Sequence, residues 1–175
     1  MIDMPGGIQA FDFDCGAKAL QLVLAYYGLE KLEGDLIKEL QTDHNGTAIE
    51  NMIAVAKKYG FEVIARRGME LETVKEFIGK NTPVIVLLQA WANRYMTLRD
   101  WRHDYNDGHY AIVIGYTDNI IVFEDPSSFR KVWLKEKEFL ARWHDVDPRT
   151  GEKFEQFAMV LLGREPVIKN LEHMD

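Results

Sequence analysis

The segment 15–27 constrains the fold more than any other. Cys15, Ala19, Leu22, Val23 and Tyr26 recur at helical spacing, and Leu20, Leu24 and Tyr27 widen that stripe until little beyond Lys18 and Gln21 is polar. A helix apolar nearly all round must be packed on most sides, which makes it a central helix. Gly28 ends it, and Asp14 stands in front of it as the expected N-cap. Whatever occupies its first position is therefore held rigidly. That residue, Cys15, is the only cysteine among 175.

A thiol at a helix N-terminus meets unpaired backbone N–H groups and the positive end of the macrodipole. Both favour thiolate, the nucleophilic form. A lone free cysteine is as often a small buried residue, so this stretch alone leaves a packed thiol and a nucleophile as alternatives. Asp12 and Asp14 add negative charge nearby, which opposes activation of the thiol.

The rest of the chain reads as an α+β order, helices first and antiparallel strands later. Residues 1–13 are expected to be extended. Short helices are expected over 33–41, capped by Asp35, and from Thr47, with Glu50 completing a capping box and Gly60 ending the helix. A strand over 61–66, a helix over 70–79 and a buried β-branched strand over 83–89 follow. The stretch 91–108 has no clean period. It carries Trp91, Trp101 and Tyr105 and ends at Gly108, and a connection this long in a compact domain is usually functional, which leaves a substrate-binding lid and a satellite apolar cluster under a long loop as alternatives. Strands over 109–116 and 120–123 make a hairpin closed by Asp125-Pro126. A strand over 130–134, a helix over 135–143 with Phe139 and Leu140 inward, a polar turn over 145–152 and a last strand over 157–162 complete the chain. His44, His144 and His173 read as solvated loop residues. One domain is expected over 1–175, with a loose tail from about residue 165.

The hairpin supplies the missing chemistry. His109 starts one strand and Asp125 ends the next, so the two are expected side by side, with the carboxylate orienting the imidazole. Cys15 would attack a carbonyl carbon, and His109 would take and return the proton. Gln9, six residues before Cys15, and the Cys15 backbone N–H would be oxyanion donors.

Composition excludes several alternatives. A net charge of −7 disfavours a nucleic-acid partner. One cysteine excludes an internal disulfide framework and a multi-cysteine zinc site. No run approaches the ~18–20 apolar residues of a membrane span, and residues 1–7 lack the basic and apolar regions of a secretory signal. No metal or cofactor is expected, and the compartment is read as cytoplasmic.

Several blocks together resemble the C39 family of papain-like cysteine peptidases, in its free-standing branch. They are Gln9-x5-Cys15-Gly16 with Asp14 before the cysteine, Tyr26-Tyr27-Gly28, Gly46-Thr47 opening a helix that ends Lys58-Tyr59-Gly60, Gly108-His109-Tyr110 with its apolar strand to Gly115-Tyr116, and Asp125-Pro126. The resemblance covers roughly residues 7–163. It implies a papain-like fold with the active site in a cleft between the N-terminal helices and the sheet. It implies Cys15 as nucleophile, His109 as base, Asp125 as orienting acid and Gln9 as oxyanion donor, acting on a peptide or protein substrate. Two other readings fit the same residues: a transglutaminase- or amidase-type acyl transfer, and a non-catalytic peptide-binding module.

Overall fold

The computed structural model describes residues 1–167. Helices α1 (Cys15–Tyr26), α2 (Glu33–Glu39) and α3 (Ile49–Lys58) lead into β1 (Glu62–Arg66), α4 (Leu71–Gly79), β2 (Val84–Gln89) and α5 (Leu98–His103). Then come β3 (Gly108–Tyr116), β4 (Ile120–Glu124), β5 (Val132–Lys135), α6 (Glu136–Arg142), β6 (His144–Val146), β7 (Lys153–Glu155) and β8 (Ala158–Leu162). Six strands form one antiparallel sheet in the order β1-β8-β2-β3-β4-β5, and β6 and β7 form a separate two-stranded ribbon. Helices packed on a large antiparallel sheet are the α+β arrangement expected.

Helix α1 is the central rod. Ala17, Ala19, Leu20, Val23 and Leu24 are fully buried, and burial of each large aliphatic side chain contributes about 1.5–3 kcal/mol. Its one buried cation, Lys18, is matched by Glu33 at 2.6 Å and Gln21 at 2.8 Å. On the other layer, β2 is buried along its whole length and β3 along all but its two ends, as near-continuous apolar runs require.

Gly16 sets how α1 meets the sheet. A Cβ there would lie 2.8 Å from the Thr47 Cβ and 3.0 Å from the Tyr110 ring. The Tyr110 hydroxyl donates to the Thr47 carbonyl at 3.1 Å. The start of α1, the residues before α3 and the third residue of β3 are thus pressed together, and Cys15 and His109 are the immediate neighbours of that contact.

Several local expectations are corrected. Asp14 occupies the N-cap position but turns its carboxylate back, accepting from the N–H groups of Phe11 at 3.1 Å and Ala10 at 3.3 Å. Leu32 and Ala48, not Asp35 and Thr47, precede α2 and α3. The Thr47 hydroxyl is instead drawn to Thr42 at 2.8 Å. Residues 98–103 are helical, opened by a capping box between Thr97 and Asp100. Phe139 is buried, but Leu140 points outward. His144 is buried, its Nε2 3.0 Å from the Trp101 carbonyl and its ring against Tyr105. The tail is docked as far as Val167, whose N–H donates to Tyr26 O at 3.0 Å; His173 lies outside the described residues.

Candidate active site

The β3–β4 hairpin carries two of the three expected groups. Its register pairs Ile112 with Glu124, so one residue further Asp125 falls beside Ala111, two residues from His109 along the same face. His109 Nε2–H donates to Asp125 Oδ1 at 2.9 Å. The Ser127 N–H donates to the same oxygen at 2.7 Å, and the Trp91 indole Nε1–H donates to Oδ2 at 3.2 Å. His109 and Asp125 are both buried, and an ion pair out of water has to be paired and hydrogen-bonded in this way.

With Nε2 spent on Asp125, Nδ1 is the ring nitrogen left for a third group, and the Cys15 thiol is near enough to the imidazole to act on its charge. Burial pushes the His109 pKa down, but the interactions with Asp125 and Cys15 outweigh it and hold it up at about 10. The structure therefore brings Cys15, His109 and Asp125 into one cluster. Because Asp14 spends its oxygens on Ala10 and Phe11, the N–H groups of the first turn of α1 remain directed at the cysteine end.

Cys15 opens into a cavity of about 80 Å³ lined by Gly108, Tyr110 and Thr47 on one side and by Asp145 and Arg149 on the other. Gly108 lies under the Asp145 carboxylate, which takes the space a Cβ would need. Asp145 is anchored by Gln89, fully buried, whose Nε2–H donates to Asp145 Oδ1 at 2.7 Å and to His144 O at 3.1 Å. Burial raises the Asp145 pKa to about 6 against these donors. At the rim, Arg149 donates to Asp43 Oδ1 and to the Gly46 carbonyl, each at 2.8 Å, tying the β6–β7 turn to the loop before α3.

The remaining expected residues are placed as follows. Gln9 is joined to the turn after β4: its N–H donates to Pro126 O at 2.8 Å, and Ser127 Oγ–H donates to its Oε1 at 3.0 Å. Its amide NH₂ donates to Phe11 O at 2.6 Å. Trp91 and Gly108 border the cluster, one at Asp125 and one in the cavity. Trp101 is buried under the Arg142 guanidinium, 3.9 Å from its ring centroid, and Tyr105 donates to Glu155; neither lines the Cys15 cavity. Sequence reasoning missed Asp145, taken as part of a polar turn, and Gln89, taken as the end of an apolar strand. A polar residue closing a run of buried β-branched residues was the available signal for Gln89.

A helical layer set against an antiparallel sheet, with Cys15, His109 and Asp125 grouped between them, is the arrangement of the papain-like peptidase fold. The chain belongs to the Peptidase C39 family, whose model matches residues 8–146; this is a family of cysteine peptidases. It is 22% identical over 140 residues to the pediocin PA-1 transport/processing ATP-binding protein PedD of Pediococcus acidilactici, covering 79% of this chain. It spans only 17% of that relative's length. Its fold is similar to the peptidase domain of Streptococcus ComA, a bi-functional ABC transporter involved in a quorum-sensing pathway, with TM-score 0.65 and 23% identity over 92% of this chain and 98% of that one. It is also similar to a C39-like peptidase of Bacillus anthracis, with TM-score 0.71 and 16% identity over 91% and 94% of the two chains. A third neighbour is a double glycine motif protease from an AMS/PCAT transporter, solved in complex with the leader peptide, with TM-score 0.65, 20% identity and 91% of both chains covered. Among the described residues no helix is long and apolar enough to cross a membrane.

Proposed function

We propose that this chain hydrolyses a peptide amide bond through an acyl-enzyme on Cys15, with His109 and Asp125 completing a triad. The observation that carries the reading is a buried imidazole bonded to Asp125 Oδ1 at 2.9 Å, with the Cys15 thiol near enough to act on its charge. His109 holds the thiol's proton on Nδ1 as an imidazolium, and the thiolate sulfur attacks the scissile carbonyl carbon. The imidazolium then protonates the leaving amine, and water, deprotonated by the same imidazole, releases the acid. Asp125 fixes the ring and stabilises its cation.

The developing oxyanion is stabilised by the Cys15 backbone N–H at the start of α1. Gln9 supplies the second donor through the amide hydrogen not given to Phe11. What supports it is its attachment to Pro126 and Ser127, the residues that follow Asp125. Gly108 faces the acyl part of the substrate, because it lines the Cys15 cavity and carries no side chain to block it. The substrate is a peptide or protein segment, as in the neighbour that holds a leader peptide. A single cysteine acting as a free thiol fits a reducing compartment such as the cytoplasm.

The test is a peptide library incubated with the wild-type chain and with Cys15→Ala, read by mass spectrometry. Cleavage that needs Cys15 supports the reading. Incorporation of an added amine without cleavage replaces hydrolysis by acyl transfer, and cleavage unchanged in Cys15→Ala overturns it.

A further inference from the structure

The two oxygens of Asp125 have different partners. Oδ1 accepts from His109 at 2.9 Å and from the Ser127 N–H at 2.7 Å. Among the described residues, the hydrogen-bond partner of Oδ2 is the Trp91 indole N–H, at 3.2 Å. We propose that Trp91 is a positioning residue of the active site, its N–H fixing the rotation of the Asp125 carboxylate and its ring keeping water off the His109–Asp125 bond. This rests on the triad reading given above.

The backbone at Trp91 points the same way. Its φ is +62°, in the left-handed region that bulky residues rarely adopt and that costs energy wherever they do. Burial does not account for the arrangement, since Trp91 is 56% exposed. What the conformation achieves is to aim the indole N–H at a buried carboxylate. The platform is firm: Trp91 is two residues beyond the end of β2, whose Gln89 pairs with Gly108, and the intervening Ala90 N–H donates to Asp107 O at 2.9 Å. The residue that positions Asp125 is therefore mounted on the strand beside the one that carries His109.

Loss of the ring would also unroof Asp125. An apolar cavity of about 180 Å³ lies under Trp91, bordered by Leu88, Ala111, Phe123 and Leu134, and it reaches Asp125. Water admitted there would compete with the imidazolium for the carboxylate. The charged groups around Asp125 are His109 on β3, Glu124 before it on β4 and Arg142 of α6 across the cavity. Trp91 is the neutral donor among them, so its removal changes the geometry of the pair without changing the net charge.

The experiment is the pH profile of Cys15 alkylation by iodoacetate, an anion whose attack is assisted by a neighbouring imidazolium. It compares the wild-type chain with Trp91→Phe, Trp91→Gly and His109→Ala, alongside thermal unfolding of each. Trp91→Phe keeps the cover but loses the N–H; Trp91→Gly is at ease with the positive φ and guards against a Phe variant that fails to fold. In both, the alkaline limb should move to lower pH and the imidazolium-assisted rate should fall about ten- to a hundredfold, the effect of one hydrogen bond to a charged group. A wild-type limb in folded Trp91 variants, with the limb absent from His109→Ala, overturns the positioning role and leaves the triad standing. Coincident profiles for wild type and His109→Ala overturn both.

Discussion

His109 Nε2 lies 2.9 Å from Asp125 Oδ1 although the β3–β4 register sets Asp125 beside Ala111 rather than opposite His109. The contact is a same-face diagonal, closed because Asp125 has left the strand and turned toward the next loop. Its consequence is a proton held on a buried ring. The His109 pKa is raised from 6.5 to about 10, so the folded chain keeps a proton that the unfolded chain releases between those values. The resulting stabilisation is complete below pH 6.5 and is lost as pH rises through about 10. Urea midpoints of the wild-type chain should fall across that window, and the fall should flatten in Asp125→Asn. The same variant should lose about 10²–10⁴ in turnover. Parallel stability curves for the two proteins would dissociate the imidazole from the carboxylate.

The contact of Gly16 with Thr47 and Tyr110 holds the cysteine against the sheet. Gly16→Ala would place a methyl 2.8 Å from the Thr47 Cβ and 3.0 Å from the Tyr110 ring. Neither can retreat easily, since Tyr110 is buried and bonded to Thr47 O. The helix start must shift instead, at a cost of about 1–3 kcal/mol. Because Cys15 is the adjacent residue, peptidase activity should fall further than stability does. Denaturant unfolding and turnover measured on the same preparation separate the two, and an unaffected turnover would mean that α1 can slide without moving the thiol.

What the sequence reveals of this site follows the range over which each interaction acts. The apolar pattern of α1 and the β3–β4 hairpin are periodic and local, so the positions of Cys15, His109 and Asp125 were legible before any coordinates. Asp14 is the N-cap residue as expected, but its side chain makes no capping bond, because a carboxylate can bond backward as readily as forward and here Ala10 and Phe11 offer donors. The helix after Thr97 was hidden by a loop without period, although Thr97 and Asp100 carry the spacing of a capping box. The partners of Asp145, Gln89 and Trp91 lie on or beside other strands, and no local pattern announces a contact between residues 91 and 125.

The Asp145 carboxylate over Gly108 makes these two residues energetically coupled. Gly108→Ala would drive a methyl into that carboxylate, displacing either Asp145 or the residue next to His109. Stability should drop by about 1–3 kcal/mol, with a comparable loss of activity. Asp145→Ala removes the obstructing atoms and leaves Gln89 its bond to His144 O at 3.1 Å. The double variant should therefore be more stable than the sum of the two single changes allows, by at least about 0.5 kcal/mol. Strict additivity would show that β3 moves and Asp145 does not.

At the rim of the cavity, the bonds from Arg149 to Asp43 and to Gly46 O, each 2.8 Å, join two walls of the Cys15 cavity. Asp43 and Arg149 are both partly exposed, and an ion pair of that kind contributes only about 0–1 kcal/mol. Arg149→Ala should therefore leave the unfolding midpoint almost unchanged. Loss of the Arg149 side chain should nevertheless free the β6–β7 turn from the loop before α3 and, on the proposed function, loosen the hold on peptide. The expected kinetic signature is a raised KM with kcat little altered, because the cluster at Cys15 is untouched and uniform binding is what is lost. Hydrogen exchange should quicken at 147–151 and stay constant in β3. A fall in kcat at unchanged KM would instead assign Arg149 to the chemical step.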